Sequence, residues 1–225
     1  MQLQQLTYAV DLVFCVDATG SMAGLIDKVK QAALGFHGLL TEAMSRKGKH
    51  VDALRIRVVS FRDFFADGEA GFAASPFFSL PAEEADFSAF VSALRADGGG
   101  DEPESALEAL ATALSSEWTR AGARRRHIVV MYTDASAHPL ERGATEQPTG
   151  YPTDLPRSFD ALTDLWEGQR MSVGAKRLLL FAPDAAPWSD VQAHWSNVIH
   201  FPSRAGEGLD EVDRDAILDA IANSV

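Results

Sequence analysis

Two aspartates stand directly after strongly apolar stretches, and hydroxyl side chains accompany the first of them. Asp17 follows the apolar residues 8–16, and Thr19 and Ser21 come after it at every second position. Carboxylate and hydroxyl oxygens are hard donors that suit Mg²⁺, Mn²⁺ or Ca²⁺ and suit zinc poorly. Gly20 allows the tight turn that lets the three side chains converge. The segment therefore predicts a divalent-metal site, and its alternative is ordinary helix capping by Ser21 and Asp17.

Two later segments could bring further carboxylates to the same place. Asp101 follows the glycines 98–100, and Pro103 marks the expected start of a helix behind it. Asp134 follows the apolar residues 127–133 as Asp17 follows the first apolar stretch. Carboxylates that crowd together raise one another's pKa and destabilise the fold, and a divalent ion resolves that conflict. Asp101 has an alternative role as a helix N-cap.

The rest of the chain provides the elements that would position these side chains. Buried strands are predicted at residues 8–16, 54–61, 127–133, 176–182 and 198–201, and helical patterns alternate with them. A short antiparallel edge strand is expected around Phe77 and Phe78. The alternation predicts one Rossmann-like three-layer α/β/α domain over residues 1–225, with a mostly parallel central sheet. Ligands of such sheets bind at the carboxyl ends of the strands, where Asp17 and Asp134 stand.

Composition limits the classes of partner. Acidic residues outnumber basic ones 32 to 20, and the formal net charge of −12 argues against nucleic acid. The lone Cys15 excludes an intrachain disulfide and a zinc–cysteine cluster. We find no signal peptide at the N-terminus and no apolar stretch near the ~20 residues that a membrane helix needs. A cytoplasmic protein without membrane contact is expected.

Asp17-Ala18-Thr19-Gly20-Ser21 resembles the metal-ion-dependent adhesion site of von Willebrand factor type A (vWA) domains, whose pattern is Asp-x-Ser-x-Ser after the first strand. Those domains add a threonine from a glycine-rich loop and an aspartate at the end of a later strand. Asp101 stands at the position of that threonine, and Asp134 matches the aspartate. The resemblance extends over most of the chain. It implies Mg²⁺, or Mn²⁺ or Ca²⁺, held directly or through water by Asp17, Thr19, Ser21, Asp101 and Asp134.

The resemblance also implies a function by coordination and not by catalysis. In the family an open coordination position accepts an acidic side chain of a partner protein, so the ion bridges two proteins. Bacterial cytoplasmic members often accompany protein kinases and phosphatases, which implies an adaptor in a signalling or stress-response system. Asp101 in place of threonine neutralises more of the ion's charge. The ion should therefore be held more tightly and attract an incoming carboxylate less.

Two other functions stay open on the residues alone. A phosphatase of the haloacid-dehalogenase type would use Asp17 as its nucleophile with Mg²⁺ as helper. Such an enzyme needs a second acid two residues later, where this chain has Thr19, and a lysine near a later strand end, where none is convincing. The second alternative is an interaction module that binds no metal. Nucleotide binding is not expected, because the glycines 98–100 lack the Lys-Ser/Thr of a P-loop.

Three other polar residues lie near predicted strand ends. Asp63 and Asp184 are expected to act as solvated caps, since carboxylates are common at such turns. His138 belongs to the predicted loop 135–157, rich in proline, glycine and threonine, and is expected at the surface. Loops of that length inside a domain are usually functional or mobile, so this one is expected to gate the site or contact a partner.

Overall fold

A seven-stranded sheet forms the centre of the molecule. The computed structural model describes residues 6–33, 36–98, 102–205 and 214–225. The strands are β1 Leu6–Asp17, β2 Lys49–Phe61, β3 Phe72–Ala74, β4 Phe78–Leu80, β5 Arg125–Tyr132, β6 Lys176–Pro183 and β7 Val198–Ser203. Their order is β3-β2-β1-β5-β6-β7, and β4 also pairs with β2. β2, β1, β5, β6 and β7 run parallel, whereas β3 and β4 run antiparallel to β2.

Helices cover both faces of this sheet. They are α1 Ala23–Ala33, α2 Phe36–Arg46, α3 Phe64–Asp67, α4 Glu84–Ala93, α5 Ala106–Leu114, α6 Leu140–Glu146, α7 Phe159–Glu167, α8 Trp188–His194 and α9 Arg214–Ser224. The mostly parallel three-layer α/β/α fold expected from the sequence is confirmed. Its antiparallel edge consists of two short segments, β3 and β4, on either side of residues 75–77. No helix in the described ranges has both the length and the apolar character to cross a membrane.

Strand β1 is buried on both faces and connects the two halves of the core. Leu12 and Phe14 face one apolar cluster, which includes residues of α1, α2, α4 and α9. Val13 and Cys15 face the other, which includes residues of α5, α7 and α8. This division follows from the two-residue period of a strand, which sends successive side chains to opposite faces. The apolar run that predicted the strand therefore also fixes the position of its last residue, Asp17.

The segment between β5 and α7 has more structure than the sequence indicated. Residues 135–157 were expected to form one long loop, yet they contain helix α6. Tyr151 lies against Gly143 of that helix so closely that a Cβ at Gly143 would overlap the tyrosine ring. The Tyr151 hydroxyl then donates a hydrogen bond of 3.0 Å to Glu108 of α5. These contacts hold the segment against the domain.

Candidate metal centre

The candidate site lies where the carboxyl ends of β1 and β5 meet. The two strands are parallel neighbours, with Val16 paired to Tyr132, so Asp17 comes next to Thr133 and Asp134. β2 lies on the other side of β1, so the strand order reverses at β1. This reversal produces the crevice in which open α/β sheets bind their ligands. The topology thus brings together the two strand-end aspartates that the sequence singled out.

Asp17 is fully buried and accepts hydrogen bonds on both carboxylate oxygens. Its Oδ1 accepts from the Thr19 backbone N–H at 3.0 Å and from the Thr19 hydroxyl at 2.6 Å. Its Oδ2 accepts from the Thr133 hydroxyl at 2.7 Å. Burial raises the pKa of Asp17 to about 6; the Thr19 and Thr133 hydrogen bonds oppose this rise, and the charge of Asp134 adds to it. These contacts fix the carboxylate and make it poorly accessible as a nucleophile.

Close polar contacts connect Asp17 to Asp134. Thr19 Oγ1 lies 3.2 Å from Ser21 Oγ, and the Ser21 hydroxyl donates to Asp134 Oδ1 at 3.1 Å. Thr133, which donates to Asp17, and Asp134, which accepts from Ser21, are adjacent in sequence, so these residues form one cluster. Four of the five predicted ligands, Asp17, Thr19, Ser21 and Asp134, are therefore brought together.

The hydroxyl protons show what this arrangement could bind. Serine and threonine each have one hydroxyl hydrogen and two lone pairs. Thr19 gives its hydrogen to Asp17 and Ser21 gives its own to Asp134, so unused lone pairs face each other where the two oxygens approach. Thr19, the N-cap of the 3₁₀ turn Gly20–Met22, makes no side-chain capping bond. Carboxylate oxygens together with hydroxyl lone pairs fit a hard divalent cation.

The fifth predicted ligand, Asp101, lies outside the described residues, as do Gly99 and Gly100. The residues just before this segment contact the β1 turn. The Asp97 N–H donates to the Ala18 carbonyl at 3.0 Å, and the Gly20 N–H donates to the Gly98 carbonyl at 3.4 Å. The role of Asp101 therefore stays a prediction.

Glu104 is a further acidic residue of the site that the sequence reasoning missed. Its side chain is buried, only 3 % exposed, and its Oε2 has no hydrogen-bond partner among the residues that the structure describes. Burial raises the pKa of Glu104 to about 9, and the charges of Asp17, Asp63, Asp67 and Asp134 add to that rise. A buried carboxyl oxygen without a partner is rare in proteins and calls for a physical explanation. A cation at this site would supply one.

The backbone explains why Glu104 points inward. Its N–H donates to the Ser136 carbonyl at 3.0 Å, and its carbonyl accepts from the His138 N–H at 2.8 Å. These bonds form a parallel bridge between Glu104 and Ala137. The helix expected to start at Pro103 therefore begins only at Ala106. The sequence does place several acidic residues after the glycines 98–100. Nothing in the local pattern indicates which of them turns inward.

A second polar cluster lies beside the site. Asp63 caps α3 by accepting from the Phe65 N–H at 2.9 Å, as expected of a cap, but it is buried and not solvated. His138 Nε2 lies 3.2 Å from Asp63 Oδ1, and the Arg142 guanidinium lies 3.0 Å from His138 Nδ1. The expectation of a surface histidine is wrong, because these partners bury His138 to 4 % exposure. Asp184 is exposed, as expected.

The contrast between two aspartates of β1 shows what is special about the site. Asp11, in the middle of the strand, is also buried, and Arg55 pairs with both of its oxygens at 2.9 and 2.6 Å. Asp17 receives its described hydrogen bonds from hydroxyl and amide groups, which carry no full charge. Within the described ranges, no group of three or more histidine, cysteine, aspartate or glutamate side chains could hold a metal ion without other ligands. The candidate site depends on hydroxyls as well as carboxylates.

Comparison with known proteins supports the fold. No family model matches the chain. It is 30% identical over 158 residues to the alpha-protein kinase vwkA of Dictyostelium discoideum, a match that covers 69% of this chain and 23% of that protein. The structure resembles the pilus adhesin SpaC from Lactobacillus rhamnosus GG, with a TM-score of 0.56 and 12% identity, over 96% of this chain and 30% of the adhesin. The open conformation of that adhesin gives a TM-score of 0.52 at 10% identity. The chain thus spans less than a third of each of these proteins.

Proposed function

We propose that this chain is a vWA-type domain that binds another protein in a manner that depends on a divalent metal, with Mg²⁺ as the natural ion. Asp17, Thr19, Ser21 and Asp134 would hold the ion, with Asp101 as a fifth ligand and Glu104 as a further carboxylate. The observation that carries the proposal is the pair of hydroxyls that give their hydrogens to carboxylates and turn lone pairs toward each other.

Each residue has a distinct task in this proposal. Thr133 and the Thr19 backbone hold the Asp17 carboxylate at a fixed angle, so little entropy is lost when an ion binds. Ser21 is exposed and lies on the solvent side, where a partner can approach. The bound ion would supply the positive charge that the buried carboxylates require, together with an open coordination position.

The proposed biological setting is an adaptor without catalytic activity of its own. Its support is the vWA-like motif, together with the likeness to a protein whose name is alpha-protein kinase and of which this chain matches only a part. We propose a kinase or phosphatase system of signalling or stress response as the context, and a bacterial cytoplasm as the compartment. An assay with a generic aryl phosphate tests the opposing phosphatase hypothesis.

Thermal unfolding tests the metal site directly. We would compare the wild type with Asp17→Ala in chelator, Mg²⁺, Mn²⁺ and Ca²⁺. An ion at about 100 times its Kd stabilises the native state by roughly 2.7 kcal/mol, or roughly 5–11 °C for a domain of this size. Asp184→Ala is the matched control, because Asp184 also follows a strand directly but is exposed.

The expected result is a rise in melting temperature for the wild type and for Asp184→Ala, and none for Asp17→Ala. A wild type that responds to no ion would leave the interaction module without metal as the better proposal. A rise of equal size in Asp17→Ala would place the bound ion elsewhere.

A further inference from the structure

Basic side chains gather on one face of the sheet, at the amino ends of its strands. Lys49 stands at the start of β2, Arg126 at the start of β5 and Arg177 at the start of β6. Tyr8 of β1 lies between β2 and β5, and the guanidinium groups of Arg124 and Arg126 lie 5.8 and 5.3 Å from the centre of its ring. We refer to Lys49, Arg124, Arg126 and Arg177 as the basic face. It lies at the opposite end of the sheet from the candidate metal centre.

The strand pairing puts these side chains on the same side of the sheet. Arg126 precedes Ile128 by two residues, and Ile128 is paired with Arg177. Ile128 belongs to the apolar cluster that includes residues of α9, and Val51, two residues after Lys49, packs against that cluster. Side chains two residues apart in a strand point to the same face. The basic face is therefore one continuous surface and not a set of scattered charges.

The arginines of the basic face are held by groups without a full charge. Arg124 donates to the Tyr8 hydroxyl at 3.4 Å, and Arg126 donates to two main-chain oxygens at 2.8 and 3.0 Å. Arg177 donates to a main-chain oxygen at 2.6 Å and to the side-chain oxygen of Asn197 at 3.3 Å. No ion pair within the described residues joins the basic face to a carboxylate side chain. In a chain with 32 acidic and 20 basic residues, neighbouring cations without such partners require an explanation.

Helix capping explains only part of this arrangement. Cations stabilise the C-terminus of a helix, and α9 ends beside the basic face. Lys49 Nζ lies 3.5 Å from the Ala222 carbonyl, and Arg126 donates to the residue directly after α9. Arg124 and Arg177 make no hydrogen bond to the described part of α9. Burial lowers the pKa of Arg177 and the nearby charge of Arg126 lowers it further, so these like charges are close enough to repel each other.

The three arginines have donors left for a ligand. A guanidinium group has five N–H donors in a planar fork that fits a carboxylate with two parallel hydrogen bonds. The Nη2 atoms of Arg124, Arg126 and Arg177 make no hydrogen bond to any residue in the described ranges. Arg124 is exposed, and the other two are half-buried. The contacts to neutral groups thus fix one edge of each guanidinium and leave the other edge open.

We propose that the basic face binds an extended acidic segment of another protein through aspartate or glutamate side chains. The cations stand on β2, β5 and β6 with β1 between them, so they span three strand spacings, about 14 Å. That width exceeds a single phosphate or carboxylate group. In an extended segment alternate side chains lie on one side about 6.7 Å apart, so three alternate carboxylates cover about 13 Å. The proposal does not rest on the metal site.

Fluorescence anisotropy with labelled peptides tests this on the full chain. One peptide carries glutamates at alternate positions with serines between them, and its partner carries lysines in place of the glutamates. The net charge of −12 repels an acidic peptide, so its binding requires a local basic surface. All titrations contain chelator, because nine residues of β1 separate Tyr8 from Asp17, about 30 Å of strand, and no metal is needed at the basic face.

We expect the glutamate peptide to bind and the lysine peptide not to bind. The double variant Arg124→Gln, Arg177→Gln should bind the glutamate peptide at least about tenfold more weakly, since hydrogen bonds between charged groups contribute that much to affinity. Arg125→Gln is the matched control, because Arg125 belongs to the same run of arginines but points to the other face of the sheet. Circular dichroism checks the fold of each variant. The single variant Arg124→Gln, at an exposed position, should show a smaller loss if the double variant does not fold.

Absence of binding by the glutamate peptide, or an equal loss of affinity in Arg125→Gln, would overturn the proposal. A single-stranded oligonucleotide and phosphatidylserine vesicles serve as competing anions, and tighter binding of either would also overturn an acidic protein segment as the partner. Peptide binding that needs Mg²⁺ and is lost in Asp17→Ala would place the peptide at the candidate metal centre instead. The thermal unfolding experiment tests the metal site separately, so the two proposals fail independently.

Discussion

The Ser21 hydroxyl donates a 3.1 Å hydrogen bond to Asp134 Oδ1, which joins two residues 113 positions apart in the chain. One follows β1 and the other follows β5, and the parallel pairing of these strands brings them together. The contact therefore depends on the sheet, while its chemistry depends on the two residue types.

Ser21→Ala should weaken metal binding and leave the fold intact. The substitution removes a proposed ligand and the hydrogen bond that orients Asp134, and such losses lower metal affinity by on the order of 10- to 100-fold. Ser21 is exposed, so the free energy of unfolding without metal should change by less than about 0.5 kcal/mol. Calorimetric titration with Mg²⁺ or Mn²⁺ measures the first effect. Ser21→Thr, which keeps the hydroxyl, is the control, and equal affinities in all three proteins would remove Ser21 from the site.

Asp101→Thr should weaken the affinity for the ion by about tenfold, since one full negative charge near the ion is lost. The fold should persist, because the change restores the residue type that the vWA-like pattern has at this position. A metal titration with circular dichroism as the check of folding measures both. Unchanged affinity would mean that Asp101 does not contact the ion.

Glu108 should make stability fall as pH rises. Burial raises its pKa from the ordinary 4.5 to about 7, although the Tyr151 hydrogen bond opposes the rise. The folded state thus holds the proton more tightly than the unfolded state, so stability is lost between about pH 4.5 and pH 7 and levels off above. The loss is on the order of 3 kcal/mol.

Glu108→Gln keeps the shape and an acceptor for Tyr151 but cannot ionise. Denaturant unfolding at pH 5 and pH 8 should show this variant to be more stable than the wild type at pH 8 and similar to it at pH 5. An equal pH dependence in both proteins would show that Glu108 does not titrate in this range.

Asp11→Asn should destabilise the domain without affecting metal binding. The change breaks the paired contact with Arg55, and removal of one partner of a buried ion pair costs about 3–5 kcal/mol. Asp11 lies in the middle of β1, six residues before the proposed ligand Asp17. Chemical denaturation gives the stability and a Mn²⁺ titration gives the affinity. A large loss of Mn²⁺ affinity in the folded variant would contradict the separate roles of the two β1 aspartates.

The sequence predicted the features that depend on local pattern. The apolar runs before Asp17 and Asp134 identify strands buried on both faces, and a parallel sheet must bring their carboxyl ends to one edge. Thr19 and Ser21 then follow from their two-residue spacing after Asp17. These positions needed only the strands and the general rule for ligand sites in open sheets.

The features that were missed depend on tertiary contacts that the local sequence pattern does not encode. The bridge to Ala137 turns Glu104, and not its acidic neighbours, toward the site, and no local sequence pattern encodes that bridge. His138 is buried because Asp63, from a distant part of the chain, and Arg142, four residues later, enclose it. Helix α6 was not predicted, because proline, glycine and threonine residues surround it in the sequence. The contact between Gly143 and Tyr151 holds the helix in place.

Thr19 and Ser21 both give their only hydroxyl hydrogen to a carboxylate, so no hydrogen is left between their two oxygens, which lie 3.2 Å apart. An ion that both oxygens coordinate would relieve this contact between lone pairs. The effects of Thr19→Ala and Ser21→Ala on metal affinity should therefore not add, because each substitution removes one oxygen of the same pair. The two hydroxyls would then act as one coordinating unit, and not as two independent ligands.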